Sequence, residues 1–145
     1  MLRVGDPAPA FTALDQDGAL HALSDYSGRW LLLYFYPKDD TPGCTIEACG
    51  FRDLHHDFAS SVAILGVSKD SAESHKRFAK KYALPFPLLA DPGSVMIRSY
   101  GADGINFPKR VSFLIDPQGT IAKIYALFDC NTHAQEVLQD RARIA

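Results

Sequence analysis

The strongest constraint on the fold is a run of seven apolar and aromatic residues, Trp30 to Tyr36, which ends at Pro37. A run of this length without polar alternation is typical of a strand buried on both faces of a sheet. Val62 to Val67 is a second run of the same kind. Two such strands need a covering layer on each face, which favours an α/β fold.

Around these strands the sequence alternates strand signals with helix signals. Phe11 to Leu23 alternates loosely around Asp17-Gly18, the strongest short hairpin signal in the chain. After the first buried strand, one stripe of a helix is predicted from a four-residue repeat: Ile46, Gly50, Leu54 and Phe58. Further helices are predicted over 71–83, 94–100 and from 131 or 132 to about 141, and further strands over 87–90, 111–115 and 121–128.

This order of elements predicts a single domain over residues 1–145, built as a three-layer α/β sandwich around a mixed sheet. The centre of the sheet is expected to be mostly parallel. The last two strands, joined by the turn from Asp116 to Gly119, should form an antiparallel edge. The content of 47% hydrophobic and 22% charged residues is ordinary for a globular protein and agrees with this interpretation.

Charge and hydropathy disfavour two classes of partner. A net charge of -2 argues against nucleic acid as the main partner, because nucleic acid favours a basic face. No stretch approaches the roughly 18 to 20 apolar residues that a membrane span needs. The segment from Met1 to Pro7 lacks the apolar core of a signal peptide, so we expect a cytoplasmic protein.

The chain has three cysteines, Cys44, Cys49 and Cys130, and an odd number leaves one thiol outside any complete set of disulfides. In a reducing compartment, a close pair such as Cys44 and Cys49 is more often catalytic or metal-binding than structural. Composition alone leaves those two possibilities open. The histidines fit no zinc-binding spacing with the pair, and no partner for His75 or His133 is identifiable from the sequence.

Cys44 is predicted to lie where a helix follows a buried strand and a short turn. Such junctions, at the carboxyl ends of strands, are where α/β folds place ligands. The unpaired N–H groups and the positive dipole of a first helical turn favour a thiolate over a thiol. The alternative is a buried packing cysteine, which the preceding Pro42-Gly43 turn disfavours because it lets backbone N–H groups approach an anion.

The segment from Pro37 to Cys44 resembles the Pro-x-x-x-Thr-x-x-Cys signature of the peroxiredoxins. The longer stretch from Phe35 to Cys49 is very similar to the bacterioferritin-comigratory, or PrxQ, branch, and Arg110 to Asp116 resembles the arginine-bearing strand of that family. This resemblance implies a thioredoxin-like fold and thiol-dependent reduction of hydrogen peroxide and small organic hydroperoxides. It also implies no metal, haem or flavin cofactor, and a thioredoxin-like or glutaredoxin-like protein as reductant.

The same resemblance assigns roles to individual residues. Cys44 would be the peroxidatic thiolate, which attacks one peroxide oxygen and becomes a sulfenic acid. Thr41 would offer its hydroxyl to the sulfur and the peroxide. Arg110 would keep the sulfur anionic and polarise the O–O bond, while Glu47 would orient the arginine. The expected substrate-binding residues are Thr41, Gly43, Arg110 and Pro37, the last as a shield against bulk water.

Each of these residues also has an ordinary structural interpretation. Thr41 could be a turn or N-cap residue, and Pro37 could merely end the strand. Arg110 could be a surface charge at a strand edge, and Glu47 could be an exposed acid in the first helical turn. Their joint occurrence in the expected order favours the catalytic interpretation.

Cys49 would be the resolving cysteine of an intramolecular disulfide with Cys44, again by resemblance. Five residues of one regular helix give about 7.5 Å of rise and about 500° of rotation, hence a Cα separation of roughly 8–9 Å. A disulfide spans at most roughly 7 Å between Cα atoms. Either the helix begins after Cys44, or its first turns unwind during catalysis. The resemblance favours unwinding, which the weak helix former Gly50 would ease.

Two other functions remain open from the sequence. A thioredoxin-like disulfide oxidoreductase would be expected to carry Cys-x-x-Cys, which the chain lacks, whereas a zinc-binding or redox-sensing module predicts bound metal or no turnover.

Cys130 lies outside the motif and is expected to be a thiol preceding the last helix, with a backup resolving role as the alternative. The short stretch after that helix leaves no arm for a second-subunit cysteine, which favours a working monomer.

Overall fold

The computed structural model describes residues 1–59 and 61–144. Its strands are β1 (Thr12–Leu14), β2 (Leu20–Ala22), β3 (Trp30–Phe35), β4 (Val62–Ser68), β5 (Leu88–Ala90), β6 (Val111–Ile115) and β7 (Ile121–Tyr125). Its helices are α1 (Pro42–Asp53), α2 (His55–Ala59), α3 (Ala72–Tyr82), α4 (Val95–Ser99) and α5 (His133–Arg143), with a 3-10 turn over Leu23–Tyr26. None of the helices described is both long and apolar enough to cross a bilayer.

The side chains of β3 alternate between two apolar clusters, one on each face of the sheet. Leu32 and Tyr34 belong to the cluster that α1, α3 and α5 cover. Leu31, Leu33 and Phe35 belong to the cluster covered by α4 and the N-terminal segment. This alternation explains why β3 has no polar face, and it confirms the predicted three-layer sandwich.

The strands form one mixed sheet in the order β2-β1-β5-β4-β3-β6-β7. The parallel centre is limited to β5, β4 and β3. The pair β6 and β7 forms the predicted antiparallel edge, and the predicted hairpin of β1 and β2 joins the opposite edge of the sheet. Because β6 runs antiparallel to β3, with Phe35 opposite Val111, Arg110 lies beside the carboxyl end of β3.

The predicted stripe of the first helix is wrong at Ile46, although Phe58 is fully buried and Leu54 packs against the same apolar cluster. The buried residues of α1 are Cys44, Glu47, Ala48 and Phe51. Ile46 is instead 42% exposed, and α1 ends at Asp53, before the separate short helix α2. Hydropathy favoured the stripe with isoleucine, leucine and phenylalanine, because it assigns a glutamate to the solvent.

The predicted starts of the helices agree better with the structure than the predicted end of the last strand. The Ser71 hydroxyl accepts the N–H of Ser74 at 3.1 Å, as predicted for the start of α3. Thr132 precedes α5 as expected, but its side chain makes no capping hydrogen bond within the described part of the chain. The last strand ends at Tyr125, three residues earlier than predicted.

His133, at the start of α5, is a fully buried histidine whose partners the sequence did not reveal. Its Nε2 lies 2.9 Å from the hydroxyl of Ser112. Its ring stacks on Phe128 with the centroids 3.7 Å apart, and Phe51 of α1 packs against it edge to face. Burial lowers the pKa of His133 to about 4, although Glu136 acts in the opposite direction.

We expect the free energy of unfolding to fall as the pH drops from about 6.5 to about 4. The unfolded chain takes up a proton on His133 in this window, whereas the folded chain excludes it, so the stabilisation is complete above the window and lost within it. The loss should reach about 3 kcal/mol. Denaturant unfolding of the wild type and of His133→Gln, at several pH values, measures the difference. Equal slopes against pH in the two proteins would contradict it.

Candidate active site

The segment that joins β3 to α1 carries the predicted motif. Thr41 is extended (φ −100°, ψ 158°), and its carbonyl accepts the first helical hydrogen bond, from Thr45 at 2.8 Å. Pro42 occupies the first helical turn, where its missing N–H costs nothing. Cys44 follows in the same turn as a free thiol that is only 1% exposed.

Arg110 connects this turn to β6. Its Nη2 donates to the Cys44 sulfur at 3.2 Å, and its Nη1 donates to Glu47 Oε1 at 2.7 Å. The structure therefore brings together three residues that the sequence singled out, two of them 66 positions apart. Arg110 is therefore not merely a surface charge at a strand edge, because it contacts both Cys44 and Glu47.

Glu47 lies one turn after Cys44, and its side chain is 0% exposed, so it is not an exposed acid. Burial raises the pKa of Glu47 to about 7, although the Arg110 guanidinium lowers it. Burial lowers the pKa of Arg110, but the charges of Glu47 and Cys44 outweigh burial and hold it above its ordinary value. The second carboxyl oxygen, Oε2, has no hydrogen-bond partner among the residues described.

Gly43 leaves room for the guanidinium. A Cβ at this position would lie 3.0 Å from Arg110 Nη2, tighter than ordinary packing allows without a shift. The glycine is therefore needed for a close approach of a side chain and not for an unusual backbone angle. Pro37 is half-buried directly after β3, in a position compatible with either predicted role.

The Thr41 hydroxyl donates to the carbonyl of Lys38 at 2.9 Å. In the part of the chain that is described, it bonds neither to the Cys44 sulfur nor to the N-terminal turn of α1. The predicted contact between Thr41 and the sulfur is thus not made in this state. Its contact with a peroxide stays a prediction.

The same loop is fixed to α3 through Asp39, which the sequence did not single out. Its Oδ2 lies 2.7 Å from His75 Nδ1 and accepts the Ser74 hydroxyl at 2.8 Å, while Oδ1 accepts the Tyr36 hydroxyl at 2.5 Å. His75 is fully buried, and its Nε2 donates to the Leu89 carbonyl at 3.0 Å. The position of Asp39 inside the motif was the only sequence signal for this anchor.

Asp40 fixes the next position of the loop. It adopts the left-handed conformation (φ 56°), which costs a non-glycine residue about 1 kcal/mol or more. Its carboxylate accepts from Lys81 and from the Tyr82 hydroxyl, both at 2.8 Å. Two successive aspartates therefore hold the loop on α3.

One set of side chains in residues 1–59 and 61–144 is close enough to share a metal ion: Asp39, Asp70 and His75, whose ligand atoms lie within 4.8 Å of one another. Hydrogen bonds account for this proximity. Asp70 Oδ2 accepts the backbone N–H of Asp39 at 2.9 Å and the Ser68 hydroxyl at 2.6 Å. The set is the polar anchor of the loop, and it excludes the cysteines.

The two remaining cysteines lie next to this centre. Cys49 is half-buried in the same unbroken helix as Cys44, so the alternative in which the helix begins after Cys44 is wrong. Cys130 precedes α5, and its carbonyl would lie 3.9 Å from a Cβ on Gly50. Burial raises the pKa of the Cys130 thiol, and the nearby Arg110 charge opposes it. Cys130 therefore lies closer to the site than its sequence position indicated.

Comparison with known proteins agrees with this geometry. The sequence profile of the AhpC/TSA family matches residues 4–124. A protein named putative peroxiredoxin bcp from Coxiella burnetii is 42% identical, over 94% of this chain and 97% of its own length. The crystal structure of peroxidoxin BcpB from Mycobacterium tuberculosis superposes with a TM-score of 0.93 at 31% identity, covering 100% of this chain and 99% of that chain.

A further solved relative is the bacterioferritin comigratory protein of Xanthomonas campestris, described for its alkyl peroxide reduction activity. It superposes with a TM-score of 0.87 at 31% identity, covering 92% of this chain and 90% of that chain. These likenesses extend over nearly the whole chain, and they confirm the predicted thioredoxin-like fold.

We expect Gly43→Ala to slow the oxidation of Cys44 by hydrogen peroxide on the order of tenfold, because small displacements of a catalytic group cost heavily. The new methyl group would push Arg110 Nη2 away from the sulfur. The single-turnover rate constant measures the effect. Gly50→Ala is the matched control, because its Cβ meets only ordinary contacts of 3.8 and 3.9 Å. An equal loss in both variants, or none in Gly43→Ala, would contradict the prediction.

Proposed function

Given that the chain belongs to the AhpC/TSA family of thiol-dependent peroxidases, we propose that Cys44 attacks the peroxide and that Cys49 resolves the resulting sulfenic acid. The observation that carries the assignment of Cys44 is the 3.2 Å contact between its sulfur and Arg110. A cation held against an enclosed sulfur stabilises the thiolate, which is the nucleophilic form of cysteine.

In the first step the thiolate attacks the terminal peroxide oxygen, the O–O bond breaks, and an alcohol or water leaves. Arg110 stabilises the negative charge that develops on the separating oxygens. The Thr41 hydroxyl donates its proton to the Lys38 carbonyl, so in this state it could bind a peroxide only by accepting the peroxide O–H. Hydrogen peroxide and small organic hydroperoxides are the proposed substrates, and the alkyl peroxide activity of the Xanthomonas campestris relative supports the second class.

In the second step the Cys49 thiol attacks the Cys44 sulfenic acid, and a disulfide forms with loss of water. Both cysteines belong to α1, so its first turns must unwind before the sulfur atoms meet. Unwinding removes Cys44 and Ala48 from the apolar cluster beneath the helix. A thioredoxin-like or glutaredoxin-like protein would then reduce the disulfide, and we propose that the enzyme works as a cytoplasmic monomer.

Cysteine variants test the assignment. We expect Cys44→Ser to abolish peroxide consumption, whereas Cys49→Ser should consume one equivalent and then stop in the absence of added thiol. Intact-protein and peptide mass spectrometry after one equivalent of peroxide should show a Cys44–Cys49 link in the wild type. Cys130→Ser is the control, and it should form the same link. A link from Cys44 to Cys130, or turnover in Cys44→Ser, would contradict the proposal.

Gly50→Ala tests the unwinding step. Alanine stabilises a helix by about 1 kcal/mol relative to glycine, which corresponds to roughly fivefold slower disulfide formation if α1 must open first. Thiol trapping at short times after a peroxide pulse gives this rate, and excess peroxide should convert more Cys44 to sulfinic acid. Unchanged or faster disulfide formation, with unchanged oxidation of Cys44, would show that the helix does not limit resolution.

A further inference from the structure

The carboxyl group of Glu47 is only half used by its contact with Arg110. Oε1 accepts from Nη1 at 2.7 Å, but Oε2 is buried and has no hydrogen-bond partner among the residues described. Orienting the arginine accounts for Oε1 alone. A permanently ionised carboxylate with one bare oxygen in a closed site is costly, because its desolvation is not offset by hydrogen bonds.

The charges around Glu47 indicate what Oε2 does. Arg110 brings one positive charge, whereas Cys44 and Glu47 together could bring two negative charges. Three other ionisable groups interact with this cluster among the residues described: Tyr34, Cys130 and His133. Burial raises the pKa of Tyr34 and of Cys130 and lowers that of His133 to about 4, so none of them adds charge at neutral pH. One cation balances one anion in this enclosed cluster, and the second acidic group must hold a proton.

We propose that Glu47 carries the proton that the Cys44 thiol gives up, and that it hands this proton to the oxygen that leaves when the O–O bond breaks. This inference rests on the proposed function of Cys44. The thiol and the Glu47 carboxylate first become a thiolate and a carboxylic acid. The thiolate then forms the S–O bond, the O–O bond breaks, and the leaving alkoxide takes the Glu47 proton to become an alcohol. The sulfur is oxidised by two electrons, the peroxide is reduced by two, and the carboxylate is restored.

The geometry suits this transfer. Nη1 and Nη2 of one guanidinium bind Glu47 and the Cys44 sulfur respectively, so the two acidic groups lie side by side along one edge of Arg110. They are also one turn apart on the same face of α1. A pKa of about 7 suits a group that must both accept and release a proton near neutral pH.

The test compares two peroxides whose leaving groups differ in their need for a proton. Cleavage of tert-butyl hydroperoxide releases an alkoxide, which needs a proton, whereas cleavage of peracetic acid releases acetate, which is stable without one. Glu47→Gln keeps the shape of the side chain and an oxygen for Arg110 Nη1, but it holds no transferable proton. Single-turnover oxidation of Cys44 is measured with both peroxides in the full-length wild type and in the variant.

We expect Glu47→Gln to slow the reaction with tert-butyl hydroperoxide roughly 100-fold or more, the size of a general acid contribution, and the reaction with peracetic acid at least about tenfold less than that. The comparison cancels any change in folding or in the thiolate fraction, because both substrates meet the same protein. Glu47→Asp, which keeps an acid, should restore the ratio of the two rates even if both rates fall.

An equal loss with both peroxides, or no loss with either, would overturn the proposal and leave Glu47 as an orienting residue only. Failure of the proposed function is distinguishable, because Cys44→Ser would then still consume both peroxides. A wild-type ratio in Glu47→Asp together with a shifted ratio in Glu47→Gln supports the transfer of a proton.

Discussion

The Arg110 guanidinium is bonded at the same time to the Cys44 sulfur and to the Glu47 carboxyl group, and most of the surrounding structure serves this double contact. The antiparallel register of β6 on β3 delivers Arg110 to the carboxyl end of β3, where the motif loop begins. The absence of a side chain at Gly43 lets the guanidinium reach the sulfur. Burial of Glu47 then provides a partner that the solvent does not screen, so the arginine keeps one orientation.

The loop that precedes Cys44 is rigid for a different reason. The buried contact of Asp39 with His75 and the exposed contacts of Asp40 with Lys81 and Tyr82 hold it on α3. Removing one partner of such a buried pair is strongly destabilising, because it leaves the other polar group without compensation. The site therefore combines a fixed loop with a helix that must open in the proposed mechanism.

The intact helix α1 suits the first proposed step but opposes the second, and both steps involve the same few residues. While α1 is intact, the sulfur faces Arg110 and is shielded from solvent, which suits attack on a peroxide. The same helix keeps Cys49 away from Cys44, which prevents the proposed disulfide from forming. No close approach requires a glycine at position 50, because a Cβ there would meet Ala134 at an ordinary 3.8 Å. Gly50 therefore weakens the helix beside Cys49, the proposed resolving cysteine, without being part of the loop or of the arginine contact.

Local signals determined much of this protein directly from its sequence. The buried strand Trp30–Phe35 and the cap at Ser71 depend on an unbroken apolar run and on hydrogen bonds between near neighbours, and both lie where the sequence predicted. The predicted turn before Cys44 is shorter than expected, because α1 already begins at Pro42. The resemblance of the motif added the thiol and its expected partners, including Arg110, but without their geometry.

Only the tertiary structure decided which face of α1 is buried, and it decided against hydropathy. Hydropathy assigns a glutamate to the solvent, whereas Glu47 is enclosed because the Arg110 guanidinium, 63 positions away in sequence, lies next to it. The buried partners of His75 and His133 have the same origin, since they lie on strands and loops remote in sequence. Burial and pairing of polar groups depend on strand register and on packing between distant elements, and no local pattern encodes either.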